Sequence, residues 1–160
     1  MPKIHITTFI AAPVERVFNL SRSITLHKIS TKDTNEEAIA GVTSGLINLN
    51  ETVTWKAKHL FKTRQHTSKI SAMEMPVHFV DEMVTGDFKS FYHEHFFKVV
   101  DNGTIMIDIL TFESPYGFIG RWFNKIYLKK YLEKFLTKRN NIIKEYAETQ
   151  KWQALLNYYN

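Results

Sequence analysis

Residues 91–110 read FYHEHFFKVVDNGTIMIDIL, two alternating runs on either side of Asn102-Gly103. In the first run Phe91, His93, His95 and Phe97 fall on one side of an extended chain, and in the second Met106, Asp108 and Leu110 do. Asn-Gly between such runs is a strong hairpin signal. Just upstream, Phe79-x-Asp81 repeats the alternation. Three strands between Pro76 and Pro115 are therefore expected to present Asp81, His93, His95 and Asp108 on one face of a sheet. Ionisable groups among Phe, Met and Leu predict a lined cavity. A wet face would carry Lys, Thr and Glu, and a plain core would be aliphatic. Strand phase decides the matter, because a slip of one residue would turn Tyr92, Glu94 and Phe96 inward and the histidines to solvent.

Further out, Ile4, Ile6, Thr8 and Ile10 alternate as a first strand that ends at Ala11-Ala12. Pro13 suits a first helical turn, Val14, Val17 and Phe18 follow at helical spacing, and Ser21 or Ser23 can cap a second short helix from Ile24 to Ile29. Gly41 and Gly45 punctuate a turn region before Leu46 to Leu49 and Glu51 to Phe61, which read as extended. The second of these sets Glu51, Val53, Trp55, Ala57 and His59 against an outward face of Thr52, Thr54, Lys56 and Lys58. Arg64 to Met73 gives a further strand, with His66, Ser68, Ile70 and Ala72 on one face. After Ser114-Pro115-Tyr116-Gly117 the period becomes helical: Phe118, Ile119, Trp122, Phe123, Ile126, Tyr131, Leu132, Phe135, Leu136, Ile142, Ile143 and Tyr146 recur at three- and four-residue steps. One long amphipathic helix is expected, its aromatic side against the concave face of the antiparallel sheet.

Composition narrows the function classes. A chain of 160 residues with 44% hydrophobic and 14% aromatic content fits one globular domain, taken as residues 1–150 with a tail at 151–160. The absence of cysteine removes disulfides, thiolate metal sites and cysteine nucleophiles, and points to a reducing cytoplasm. No signal-peptide layout opens the chain and no apolar run reaches the ~18 residues of a membrane span. The net charge of +5 is concentrated in Arg121, Lys125, Lys129, Lys130, Lys134, Lys138, Arg139 and Lys144, which read as a solvated helix face. No helix-turn-helix, zinc knuckle or RNP-type aromatic motif accompanies these charges, so nucleic acid is not an expected partner.

The order of strand, two short helices, six more strands and a long C-terminal helix resembles the helix-grip fold of the START-like, or SRPBCC, superfamily. That superfamily includes polyketide cyclases and dehydrases, pollen-allergen-type lipid carriers and coenzyme-Q-binding proteins. The motifs that carry the resemblance are Ile10-Ala11-Ala12-Pro13-x-Glu15-x-Val17-Phe18, Gly41-x-Thr43-x-Gly45, Glu51-x-Val53-x-Trp55-x-Ala57-x-His59, Phe79-Val80-Asp81-Glu82, Gly86-x-Phe88, His93-x-His95-x-Phe97 and Pro115-x-Gly117-x-x-Gly120-Arg121. Together they are similar to one bacterial branch, over residues 3 to 147. The resemblance implies an α+β domain with a curved seven-stranded antiparallel sheet, two short helices after the first strand, and the long helix packed over the concave face.

It also implies a protein that binds a small hydrophobic or aromatic molecule between sheet and helix, without a cofactor, rather than an enzyme. The expected ligand-binding residues are Glu51, Trp55, His59, Phe79, Asp81, Phe88, Phe91, His93, His95, Asp108 and Trp122. A cyclase- or dehydrase-like enzyme is the alternative: Glu51 or Asp81 would remove a proton alpha to a carbonyl while His59, His93 or His95 protonates the oxygen. A third reading is an interaction protein that uses the basic helix face. No metal is expected, and His93, His95 and Asp108 are the group that would hold one. His27, in the second short helix, is expected at a cavity mouth or on the surface. Trp152, Leu155, Leu156, Tyr158 and Tyr159 are too apolar for a free tail; packing on the sheet, extending the helix and contacting another subunit are all open.

Overall fold

A computed structural model of the chain describes residues 1–59, 61–114 and 127–157. The elements are β1 (Lys3–Ile10), α1 (Val14–Ser21), α2 (Ile24–Ser30), β2 (Glu37–Gly41), β3 (Thr52–His59), β4 (Lys62–Glu74), β5 (His78–Thr85), β6 (Ser90–Val100), β7 (Gly103–Glu113), α3 (Lys129–Glu148) and α4 (Gln153–Leu156). The strands form one antiparallel sheet in the order β1-β7-β6-β5-β4-β3-β2. The expectations for Trp122, for the glycine-flanked segment at 115–123 and for Tyr158 and Tyr159 lie outside the described residues, as does the His59 side chain.

Local chemistry accounts for most boundaries. Pro13 precedes the first turn of α1, where a missing N–H costs nothing. Ser23, not Ser21, caps α2, its hydroxyl accepting from the Leu26 amide at 3.1 Å, while Ser21 Oγ donates to the Val17 carbonyl inside α1. The β6–β7 hairpin pairs Val100 with Gly103, which makes Asp101 and Asn102 the two loop residues, and Asn102 takes a positive φ of 66° that asparagine tolerates.

Two expectations change in the first half of the sheet. The second strand is Glu37–Gly41, not Leu46–Leu49; Leu46 makes only a single bridge to Ser23, and Ile47 is buried beside the two short helices. The sequence EAIAG carries weak strand propensity, so it does not stand out as a strand until β3 pairs with it. Gly41 ends it at φ 72°, where a Cβ would lie 2.1 Å from the Thr52 carbonyl oxygen. On β4, Ile70 pairs with Asp81 but Ala72 pairs with Val80, a bulge that turns Met73 rather than Ala72 against the core.

The predicted strand phase holds. His93, His95 and Phe97 are buried while Tyr92 is 38% exposed. Helix α3 touches β1, α1 and α2 directly. Its contact with β1 leaves a gap above β3 to β6, and that gap is the cavity. The apolar core divides into two clusters. One gathers Phe18, Phe79, Phe97, Met106, Ile143 and Ala147, with the Phe18 ring edge-on to Phe79 and Phe97 at 5.5 and 5.2 Å. The other gathers Ile4, Leu110, Phe112, Leu128, Leu132 and Leu136. Along β6, β7 and α3 the residues between these clusters are polar, namely His93 and His95, Asp108, and Arg139 and Asn140.

The tail packs on its own domain. Leu156 joins the first cluster at 7% exposure, and the Arg16 guanidinium lies 4.2 Å from the centre of the Trp152 ring. A 3-10 turn at Gln150–Trp152, capped by the Thr149 hydroxyl, redirects the chain after α3.

Candidate functional site

The cavity has a volume of about 260 Å3. Its floor is Val53, Trp55 and Ala57 of β3, with His66, Ser68 and Ile70 of β4, and Phe88 and Phe91 lie to one side. Leu132, Phe135 and Leu136 of α3 cover it. These walls are apolar and aromatic, the lining expected for an organic molecule. At one place they are interrupted by Asp81, His93 and Arg139, all of which border the cavity.

Sheet register builds this polar patch. Asp81 pairs with His93 across β5–β6, and His95 pairs with Asp108 across β6–β7. Because the two histidines are two apart on one strand, the four side chains stand as a block on one face, with the imidazole centroids 3.9 Å apart. The hydrogen bonds run along the diagonals. His93 Nε2 lies 3.0 Å from Asp108 Oδ1, and His95 Nε2 lies 3.3 Å from Asp81 Oδ2. The Phe79 ring stacks on His95 at 4.1 Å and holds it upright.

Helix α3 completes the patch from above. Asn140 Nδ2 donates to Asp108 Oδ2 at 2.7 Å, and Arg139 Nη2 donates to the Ser21 carbonyl at 2.7 Å. Arg139 Nη1 lies 3.9 Å from Asp108 Oδ1 and is buried without a hydrogen-bond partner. Asp108 is fully buried, and neither it nor His95 reaches the cavity; they support the residues that do.

Burial is the largest influence on each of these groups, and for three of them it is outweighed. It pushes the Asp108 carboxyl up, but contacts with His93 and His95 hold it well below the ordinary carboxylate range. Asp81 is likewise held low by the His95 hydrogen bond and by the charges of His93, His95 and His66. Burial lowers His93, aided by the neighbouring charge of His95, and this prevails over the two carboxylates. For His95 the two carboxylates win and the imidazole is raised. Opposite charges thus face one another, Asp81 and Asp108 against Arg139 and the raised imidazole of His95, which is how a low-dielectric site tolerates charge.

Of the expected ligand-binding residues, Trp55, Phe79, Asp81, Phe88, Phe91 and His93 line the cavity. Glu51 does not. It is exposed in the turn before β3, accepts from the Asn48 amide at 2.7 Å and is not among the described residues that line the cavity. His95 and Asp108 belong to the support instead. Sequence reasoning placed Arg139 on the solvated basic face, yet it is only 7% exposed. The signal was present: Leu132, Leu136, Arg139, Asn140, Ile143 and Ala147 follow the three-four spacing of one helix stripe. His27 also lines the cavity, stacked on Trp55 at 4.2 Å with Nε2 2.6 Å from Glu36 Oε2.

No family model matches the chain, and no curated protein matches it in sequence. Solved structures do. A protein of Thermus thermophilus superposes with a TM-score of 0.73 at 19% identity, covering 90% of this chain and 95% of that one. The ZhuI aromatase/cyclase of Streptomyces sp. R1128 gives 0.72 at 13% identity over 92% and 93%. A START superfamily protein of Mycobacterium smegmatis gives 0.68 at 10% identity over 91% and 97%. At identities this low the superpositions establish the fold alone, and the chain has the START-like helix-grip fold. No helix among the described residues is long and apolar enough to cross a membrane.

Proposed function

We propose that this protein binds a small, largely apolar molecule, aromatic or otherwise hydrophobic, between the sheet and α3, with a polar group of that molecule held at Asp81, His93 and Arg139. The observation that carries the reading is an apolar and aromatic cavity between sheet and helix whose lining also includes Asp81, His93 and Arg139. Aromatic walls supply affinity and the polar patch supplies orientation.

Catalysis of the cyclase or dehydrase type is the second reading, favoured by the His27–Glu36 pair in the same cavity. Asp81 is a weak candidate for its base, because a carboxylate held well below its ordinary range has little appetite for a proton. The basic helix face is partly engaged within the domain: Lys138 pairs with Asp33, and Lys144 donates to the Phe9 carbonyl and to Glu148.

The test is native mass spectrometry of protein purified from its producing cells, with released organic molecules identified, alongside thermal shifts against aromatic and lipid-like compounds. A stoichiometric adduct that is lost when Ala57→Phe fills the cavity supports the reading. An adduct retained by that folded variant, or no adduct and no shift in wild type, overturns it.

A further inference from the structure

Each histidine of the patch sets both ring nitrogens near a carboxylate, although only the Nε2 atoms hydrogen-bond and His95 Nδ1 is without a hydrogen-bond partner. His93 turns Nε2 to Asp108 at 3.0 Å and Nδ1 to Asp81 at 3.7 Å, while His95 turns Nε2 to Asp81 at 3.3 Å and Nδ1 to Asp108 at 2.9 Å. Asp81 Oδ2 therefore meets one nitrogen from each ring; Asp81 and His93 border the cavity, His95 lies behind them, and Asp108 backs both rings from the buried side. We propose that Asp81, His93 and His95 bind a divalent cation of the zinc class through Asp81 Oδ2, His93 Nδ1 and His95 Nε2, with the fourth position open to the cavity.

The distances favour this set. Donors at about 2.0–2.1 Å from a tetrahedral ion lie about 3.3–3.4 Å from one another, whereas three on a face of an octahedron lie about 3.0 Å apart. The observed 3.3 and 3.7 Å suit the tetrahedron, and one ligating atom of each residue lies within 4.8 Å of the others. The alternative set expected from sequence, His93 and His95 with Asp108, is less suited. Its contacts of 3.0 and 2.9 Å are shorter than a tetrahedral edge, Asp108 is fully buried, and the Arg139 guanidinium stands 3.9 Å from the same oxygen, where it would repel a cation.

Asp108 instead has the place of a positioning residue. A carboxylate behind a metal-bound histidine takes the other ring N–H, which fixes the tautomer and aims the free nitrogen at the ion. With the cation in place the two carboxylates balance its charge, and Arg139 leaves one positive charge over. The open position then suits an anionic oxygen, either hydroxide or a carboxylate or enolate of a bound molecule. The proposal shares Asp81 and His93 with the ligand-binding reading but is tested without any organic ligand, so either can fail alone.

The experiment is titration of chelator-stripped protein with Zn2+ in competition with a chromogenic chelator, and with Co2+ followed by visible absorption. One equivalent of Zn2+ and the intense bands of four-coordinate Co2+ are expected. Asp81→Asn and His93→Gln should each weaken Zn2+ by at least about 100-fold, and Asp108→Asn by about 10–100-fold. His5→Gln, on the exposed side of β1, should bind as wild type. Absence of stoichiometric Zn2+ binding or of four-coordinate Co2+ bands in wild type overturns the proposal, as does wild-type affinity in folded Asp81→Asn and His93→Gln. Should a variant fail to fold, the wild-type stoichiometry and Co2+ spectrum decide alone.

Discussion

Replacing Asp108 by asparagine keeps the side-chain volume and removes one charge at a fully buried position. Oδ1 of the aspartate accepts from His93 and Oδ2 accepts from Asn140, so it faces a donor on each side, with Arg139 3.9 Å away. An amide has one acceptor oxygen. Its NH2 must then oppose either His93 or Asn140, and Arg139 loses its counter-charge. Removing one partner of a buried ionic group costs about 3–5 kcal/mol. For a chain of this length each kcal/mol moves Tm by roughly 2–4 °C, so a fall of about 6–20 °C is expected. The assay is thermal and urea denaturation of chelator-treated protein, followed by circular dichroism. Adding Arg139→Met to Asp108→Asn should recover part of the loss, because the second change removes the charge left unpaired. A single variant that loses less than about 1 kcal/mol, or a double variant whose losses simply add, would refute the view that these groups act as one coupled set of charges.

Glu51→Ala should leave ligand binding unchanged while Trp55→Ala abolishes it, because only Trp55 borders the cavity; calorimetry with the ligand found by mass spectrometry compares them. Leu156→Ala should cost about 2–4 kcal/mol in urea denaturation if the tail is part of the core, and nothing if it is a free extension. The Lys144 ammonium and the Ala11 amide hold Glu148 below its ordinary value, so its contribution is present above the unfolded pKa of about 4.3 and fades as pH falls through the folded one. Wild type should therefore exceed Glu148→Gln in Tm at pH 7, with the gap closing towards pH 3, and a gap that is constant with pH would contradict the assignment.

Alternation on β6 and β7 was sufficient to read the face that carries His93, His95 and Asp108, because a strand's period of two leaves only two phases and the aromatic partners select one. The passage from strands to one long C-terminal helix was legible as a change from period two to period three-four, and the resemblance to the START-like superfamily supplied the helix-grip fold. Leu46–Leu49 was misread because apolar content resembles strand content, and β2 was missed because its alanines acquire strand geometry only from pairing with β3. Glu51 shared the parity of Val53 and Trp55, but the strand begins one residue later and its carboxylate closes a turn.

Residue types and spacing by themselves therefore determined the strand-rich chain with its closing helix, the inward faces of β6 and β7 and the presence of ionisable groups among apolar ones, since these follow from local periodicity and from the cost of burying charge. Tertiary structure decided which charged groups meet. Asp81 comes opposite His93, and Asp108 opposite His95, through pairings between strands; Arg139 and Asn140 join them only because α3 crosses above the sheet. A lysine-rich helix face and a buried arginine look alike in one dimension, and only the direction of the packed helix stripe separates them.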